Sequence, residues 1–209
     1  MTLPYDWDVA VAHLRARDKK LARLIDRAGP DRLELSHTQS LFHALAQSIV
    51  YQQLSGKAAS TIFGRVRAIY APKKFPTPGD LAATPPERLR AAGLSNAKTA
   101  AMIDLARRTG SGELPTLAQI RRLSDDEVVQ RLTVVRGIGP WTVHMFLMFR
   151  LGRPDVLPVA DYGVKKGFAL TYRKQELPTA EELTAHAERW RPYRSLASWY
   201  MWRALDLKA

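Results

Sequence analysis

Apolar positions recur along this chain at intervals of three and four residues, the spacing of a one-sided helix. Over 39–54, QSLFHALAQSIVYQQL, Leu41, Leu45, Ile49 and Gln53 form one i, i+4 row with Phe42, Ala46 and Val50 beside it, so the stripe is apolar until its last member. Ser55 is placed to cap a following helix, GKAASTIFGRVRAIY, whose Ala59, Ile62, Phe63, Val66, Ile69 and Tyr70 share a side. APKKFPTPGD, 71–80, reads as a proline-rich loop. Beyond it the pattern predicts a short helix in PPERLRAAG ended by Gly93, one over 95–110, and one in SDDEVVQRL capped by Ser124. Pro140 suits the first turn of an apolar helix running to about Gly152, and three more helices are expected over 162–172, 179–190 and 195–207. No repeat, low-complexity stretch or compositional break marks a linker. The expected fold class is all-α, organised as a single domain over 1–209 with room for two small lobes.

Charge narrows the partners. Lys and Arg number 32 against 20 Asp and Glu, a formal +12, which favours a polyanion such as nucleic acid or an anionic membrane surface. No apolar run reaches the roughly 20 residues of a membrane span, and MTLPYDWDVA lacks the basic start and apolar core of a secretory signal. With no cysteine in the sequence, disulfides, thiolate catalysis, cysteine-ligated zinc and a protein-held iron–sulfur cluster are excluded together. The five histidines, His13, His37, His43, His144 and His186, show no metal-ligand spacing and read as structural or surface residues. A soluble cytoplasmic protein, monomeric and associated with chromosomal DNA, is expected.

The stretch RGIGPWTVHMFLMFRLGRPDVLPVADYGVKK, 136–166, sets a phosphate-like grip close to an acid. It can be read as a dinucleotide-binding turn with VLPVAD as a second strand. Three details oppose that reading: Thr142 stands at the third glycine position, Pro158 would interrupt the strand, and too little chain is left for two βαβ halves. The better reading is helix, hairpin, helix over about 125–151. Gly137 and Gly139 allow backbone conformations closed to other residues, and the amides from the hairpin to Thr142 at the next helix start would attract an anion. A tight αα turn with no ligand is the bland alternative. For Asp161, standing before YGVKKGF near Lys165 and Lys166, the bland role is that of an N-cap. Its other role is electrostatic. An ionised carboxylate so placed can stabilise a developing positive charge and orient an attacking water.

LTVVRGIGPWTVHMFLMF followed by LGRPDVLPVAD resembles the helix-hairpin-helix DNA glycosylase superfamily, closest to its 3-methyladenine DNA glycosylase II group. AQSIVYQQLSGKAAS, GLSNAKTAAMIDLA and AERWRPYRSLASWYMW extend the likeness over most of the chain. The resemblance implies an all-α, two-lobed fold with double-stranded DNA, carrying a damaged base, bound across a cleft between lobes. It implies catalysis by Asp161, Gln53 as the wedge that fills the space left by a flipped base with Leu54 as its neighbour, and Gln52 beside the pocket. It assigns Trp202 to that pocket, with Tyr162 and Trp141 as further candidates, and places phosphate at Gly137, Gly139 and Thr142. Backbone carbonyls of Thr133, Val135 and Ile138 would hold a sodium or potassium ion; no other cofactor is implied, the iron–sulfur cluster of some relatives included. Relatives that also nick DNA carry a lysine nucleophile where this chain has Trp141, which implies a monofunctional, water-using enzyme. An alkylated purine is cationic, which suits both a tryptophan face and a site without a general acid. A glycosylase for another lesion and a non-catalytic hairpin DNA-binding protein are the alternatives.

Overall fold

Small polar residues stand at most of the helix starts and accept the first free N–H groups, as Asp6, Asp18, Ser40, Ser55, Thr77, Ser95, Ser124, Asp161 and Thr179 do. The computed structural model describes residues 3–207, and every regular element among them is helical. By contacts the chain divides into two compact units, one formed by Met1–His37 with Leu147–Ala209 and the other by Thr38–Phe146.

The first unit holds α1 (Trp7–Arg17), α2 (Lys19–Ala28), α11 (Tyr162–Tyr172), α12 (Ala180–Ala187) and α13 (Arg194–Asp206). Its core gathers Leu14, Leu21, Phe168, Trp190, Leu196 and Tyr200, and α11 packs closely along α13. Gly167 sets that closeness: a Cβ there would lie 1.9 Å from the main-chain oxygen of Met201. The second unit holds α3 (Leu41–Tyr51), α4 (Gly56–Ala68), α5 (Pro78–Ala82), α6 (Pro86–Ala91), α7 (Asn96–Gly110), α8 (Leu117–Ile120), α9 (Asp125–Leu132) and α10 (Pro140–Phe146). There α7 packs against α3 and α5, with Leu45, Ile49, Leu81, Met102 and Leu105 fully buried. Among the described residues no helix is long and apolar enough to cross a membrane.

The predicted helices are present, with several departures, the unexpected α8 among them. Two helices precede them, α1 and α2. The helix expected over 39–54 stops at Tyr51, because Gln52 turns extended (ψ 131) and Gln53 takes a left-handed φ of 55. The loop expected over 71–80 gives way at Pro78 to α5, where Thr77 and Asp80 cap each other's backbone reciprocally. The helix from Pro140 widens to π-turns over Leu147–Leu151.

Asp18 joins α1 to α2 and is 5% exposed. One carboxylate oxygen accepts the N–H groups of Lys20 and Leu21, while the other accepts the Tyr172 hydroxyl at 2.5 Å and lies 3.1 Å from both His186 Nε2 and Trp190 Nε1. Burial alone would raise its pKa, but hydrogen bonds from His186, Tyr172, the Leu21 N–H and Trp190 outweigh it and hold the carboxyl well below the usual range. A carboxylate whose folded pKa is depressed contributes stability above its unfolded value, about 4, and that contribution is lost as pH falls below it. Asp18→Asn is therefore expected to cost about 3 kcal/mol at neutral pH, since an amide NH2 would face the Trp190 N–H. Urea unfolding at pH 7 and pH 3 checks this, with the gap between wild type and variant narrowing in acid.

Candidate active site

In the first unit, the chain from Gly152 to Ala160 delivers Asp161 to the head of α11. Ser195, fully buried on α13, fastens this loop by accepting the Val156 N–H at 2.9 Å and donating to the Arg153 carbonyl at 2.6 Å, while Arg194 grips Asp155 at 2.7 Å. Asp161 is 8% exposed, and its Oδ1 accepts both the Val164 N–H at 2.7 Å and the indole N–H of Trp202 at 2.8 Å. Asp161 is thus an N-cap, and the cap uses the same oxygen as the indole. Trp202 leans on Phe149 with ring centroids 5.6 Å apart. Tyr162, next to the carboxylate, is 64% exposed and carries the Lys166 ammonium 5.8 Å from its ring centre. Gly163 makes the indole contact feasible: a Cβ there would sit 2.6 Å from Trp202 Cδ1 and 3.1 Å from Asp161 Oδ1.

In the second unit, α9 and α10 flank a turn in which the Val135 N–H donates to the Leu132 carbonyl and the Ile138 N–H to the Val135 carbonyl. Gly137 has a φ of 75 and needs to be glycine, whereas Gly139 has no left-handed φ and open space where a Cβ would stand. The special backbone expected at both glycines is confined to Gly137. Thr142 is buried, and its hydroxyl oxygen accepts from Gln52 Nε2 at 3.2 Å, which leaves its main-chain N–H rather than its side chain to meet an anion. Gln52, expected beside a base pocket, clamps the hairpin, since the same nitrogen donates to the Gly137 carbonyl at 2.9 Å. Asp104 secures the other side by accepting the Arg136 N–H at 2.8 Å.

Gln53, Leu54 and Trp141 all lie on the surface of this unit, Leu54 40% and Trp141 45% exposed. A left-handed glutamine costs backbone energy and persists only where its surroundings fix it. Lys98, half-buried, does part of this: its ammonium donates to the carbonyls of Val50 and Gln52, each at 2.7 Å, and burial lowers its pKa. The sequence carries no signal for that role, because a lysine in the first turn of a helix is ordinarily solvated. Gly163 and Gly167 were more accessible to reading, being two small residues four apart on one helix.

A family model for the HhH-GPD superfamily of base excision DNA repair proteins matches residues 46–192, a span that encloses the hairpin and Asp161. The chain belongs to this superfamily. Of its HhH-GPD relatives, DNA-3-methyladenine glycosylase 1 of Schizosaccharomyces pombe is 36% identical over 199 residues, covering 95% of this chain and 87% of that protein. Among solved structures, the S. pombe 3-methyladenine DNA glycosylase Mag1 in complex with abasic DNA superposes with a TM-score of 0.83 at 36% identity, over 92% of this chain and 94% of its own. DNA-3-methyladenine glycosidase from Bacillus halodurans matches at 0.82 and 36%, over 93% and 88%. Trp202 lies beyond the span matched by the HhH-GPD family model.

Proposed function

We propose that this chain is a monofunctional DNA glycosylase that flips an alkylated purine, such as 3-methyladenine, out of double-stranded DNA and hydrolyses its N-glycosidic bond, acting as a monomer in base excision repair. The observation that carries the reading is the Asp161 carboxylate, fixed from two directions on Oδ1 by the head of α11 and the Trp202 indole. As the C–N bond lengthens, its electron pair leaves with the cationic base, which becomes neutral, and the charge passes to the sugar. Asp161 stabilises that charge and orients a water whose oxygen bonds to the sugar carbon and whose proton is lost to the carboxylate or solvent. The already cationic base leaves without a general acid. Gln53 and Leu54 are the residues assigned to the vacated stack, and Tyr162, Trp202 and Trp141 those assigned to the base.

The N–H groups of Gly137, Gly139 and Thr142 are assigned to a backbone phosphate. A sodium or potassium ion on the carbonyls of Thr133, Val135 and Ile138 would add positive charge there. These neutral oxygens suit an alkali ion, and Val135 keeps one lone pair beyond that used by the Ile138 N–H. Trp141 in place of a lysine leaves water as the nucleophile.

Single-turnover incubation with a duplex containing one 3-methyladenine, followed by alkaline cleavage of abasic sites, tests the reading. The expected result is base release with no borohydride-trappable adduct. Binding without release would give the chain to the non-catalytic class, and a trapped adduct would refute the water mechanism. Trp202→Phe keeps a ring but removes the N–H donor. A hydrogen bond to a charged group is worth about 1.5–3 kcal/mol, so the variant is expected to release base roughly tenfold more slowly in the same assay.

A further inference from the structure

The first unit carries a concave site, of about 420 Å³, at the end of α11 opposite Asp161, about 15 Å along the helix at the usual rise per residue. Lys20, Arg23 and Arg27 line it from one face of α2, at spacings of three and four, and Arg173 closes it from the end of α11 over a floor that includes Leu24 and Leu170. Among the described residues no acidic side chain lines it.

Elsewhere in this unit arginines are matched to carboxylates: Arg15 to Asp26, Arg32 to Asp8, Arg194 to Asp155 and Arg203 to Asp31. Arg23, Arg27 and Arg173 have no ion pair or hydrogen bond from their side chains among the described residues. Cations near a helix C-terminus are ordinarily accounted for by its exposed carbonyls. Lys20 fills that role here, donating to the Tyr172 carbonyl at 3.2 Å. The three guanidinium groups are in excess of it. Like charges one helical turn apart, as at Arg23 and Arg27, also weaken the isolated helix, a cost that a bound anion reverses.

We infer that this pocket binds neighbouring phosphate groups, either of a free polyphosphate or nucleotide, or of a nucleic-acid strand. Guanidinium forks match phosphate oxygens in pairs, and a cavity of this size accommodates two or three phosphates. The inference stands apart from the glycosylase reading.

The test is calorimetric titration of the full chain with inorganic tripolyphosphate and, separately, with a single-stranded oligothymidylate. Three proteins are compared: wild type, the pocket variant Arg23→Gln/Arg27→Gln/Arg173→Gln, and a charge-matched control, Arg17→Gln/Arg65→Gln/Arg88→Gln, whose arginines lie scattered over the surface. The pocket variant is expected to bind at least one probe ten times more weakly than wild type, with the control changed less than twofold. A loss for tripolyphosphate alone identifies a free polyphosphate, and a loss that includes the oligonucleotide identifies strand phosphates. Equal losses in pocket variant and control, or no loss in either, would overturn the site by reducing it to the protein's net charge. Base release from alkylated duplex, measured in parallel, is expected to be unchanged in the pocket variant.

Discussion

Asp161→Asn is expected to abolish nearly all base release while leaving the protein folded and able to bind an abasic-site analogue. Oδ1 of the side chain accepts from Val164 and from Trp202. An asparagine can turn its carbonyl oxygen into that position and keep both. What disappears is the negative charge opposite the developing sugar cation, and a single preorganised electrostatic group of this kind is worth about 10²–10³ in rate. Asp161→Ala is a poorer probe, since it also removes a cap worth about 1 kcal/mol. Single-turnover excision at saturating enzyme, read beside thermal melting, separates the two effects. An Asn variant that turns over like wild type would take catalysis away from Asp161.

Gly167→Ala is expected to destabilise the protein as strongly as Asp18→Asn. The added Cβ would meet backbone, not a side chain that can rotate away: the carbonyl oxygen, carbonyl carbon and Cα of Met201 lie 1.9, 2.5 and 2.9 Å from it. Helix α11 would have to back off α13 along the seam where the two pack most closely. A cost of about 3 kcal/mol, the upper end for overpacking, is expected, enough to lower Tm by about 6–12 °C. Calorimetric melting checks it, and an unchanged Tm would mean that the seam is far looser than its geometry. Gly163→Ala is expected to act differently. Its Cβ meets the movable Trp202 side chain, so melting should change less and base release more.

Periodicity reached the helices because the buried faces of α3, α7 and α9 repeat at helical spacing, and small polar residues mark their starts. It missed α1 and α2, where short charged turns hide the apolar rows and a single residue, Asp18, ends one helix and begins the next. It also carried α3 one turn too far. The stop at Tyr51 has no glycine or proline behind it; the last carbonyls of the helix are taken by Lys98, 46 to 48 residues further along the chain. The site followed the same division. Asp161 and the hairpin were legible from local motif chemistry, whereas the tie between Asp161 and Trp202 joins residues 41 apart in sequence. Gln52 was placed by its position in a motif, and its actual hydrogen bonds run to residues 85 and 90 positions away.

The first unit is assembled from both ends of the chain, and the second from the middle. During synthesis the middle unit is complete once Phe146 has left the ribosome, and it can fold while the rest is still being translated. Helices α1 and α2 emerge before that unit, yet the surfaces that cover Leu14, Leu21 and Leu24 include α11 and α13, which are made after it. The apolar residues of α1 and α2 therefore wait through the synthesis of the whole middle unit for their partners. Translation stalled after Phe146 would leave one unit finished beside an α1–α2 pair whose apolar faces are still uncovered.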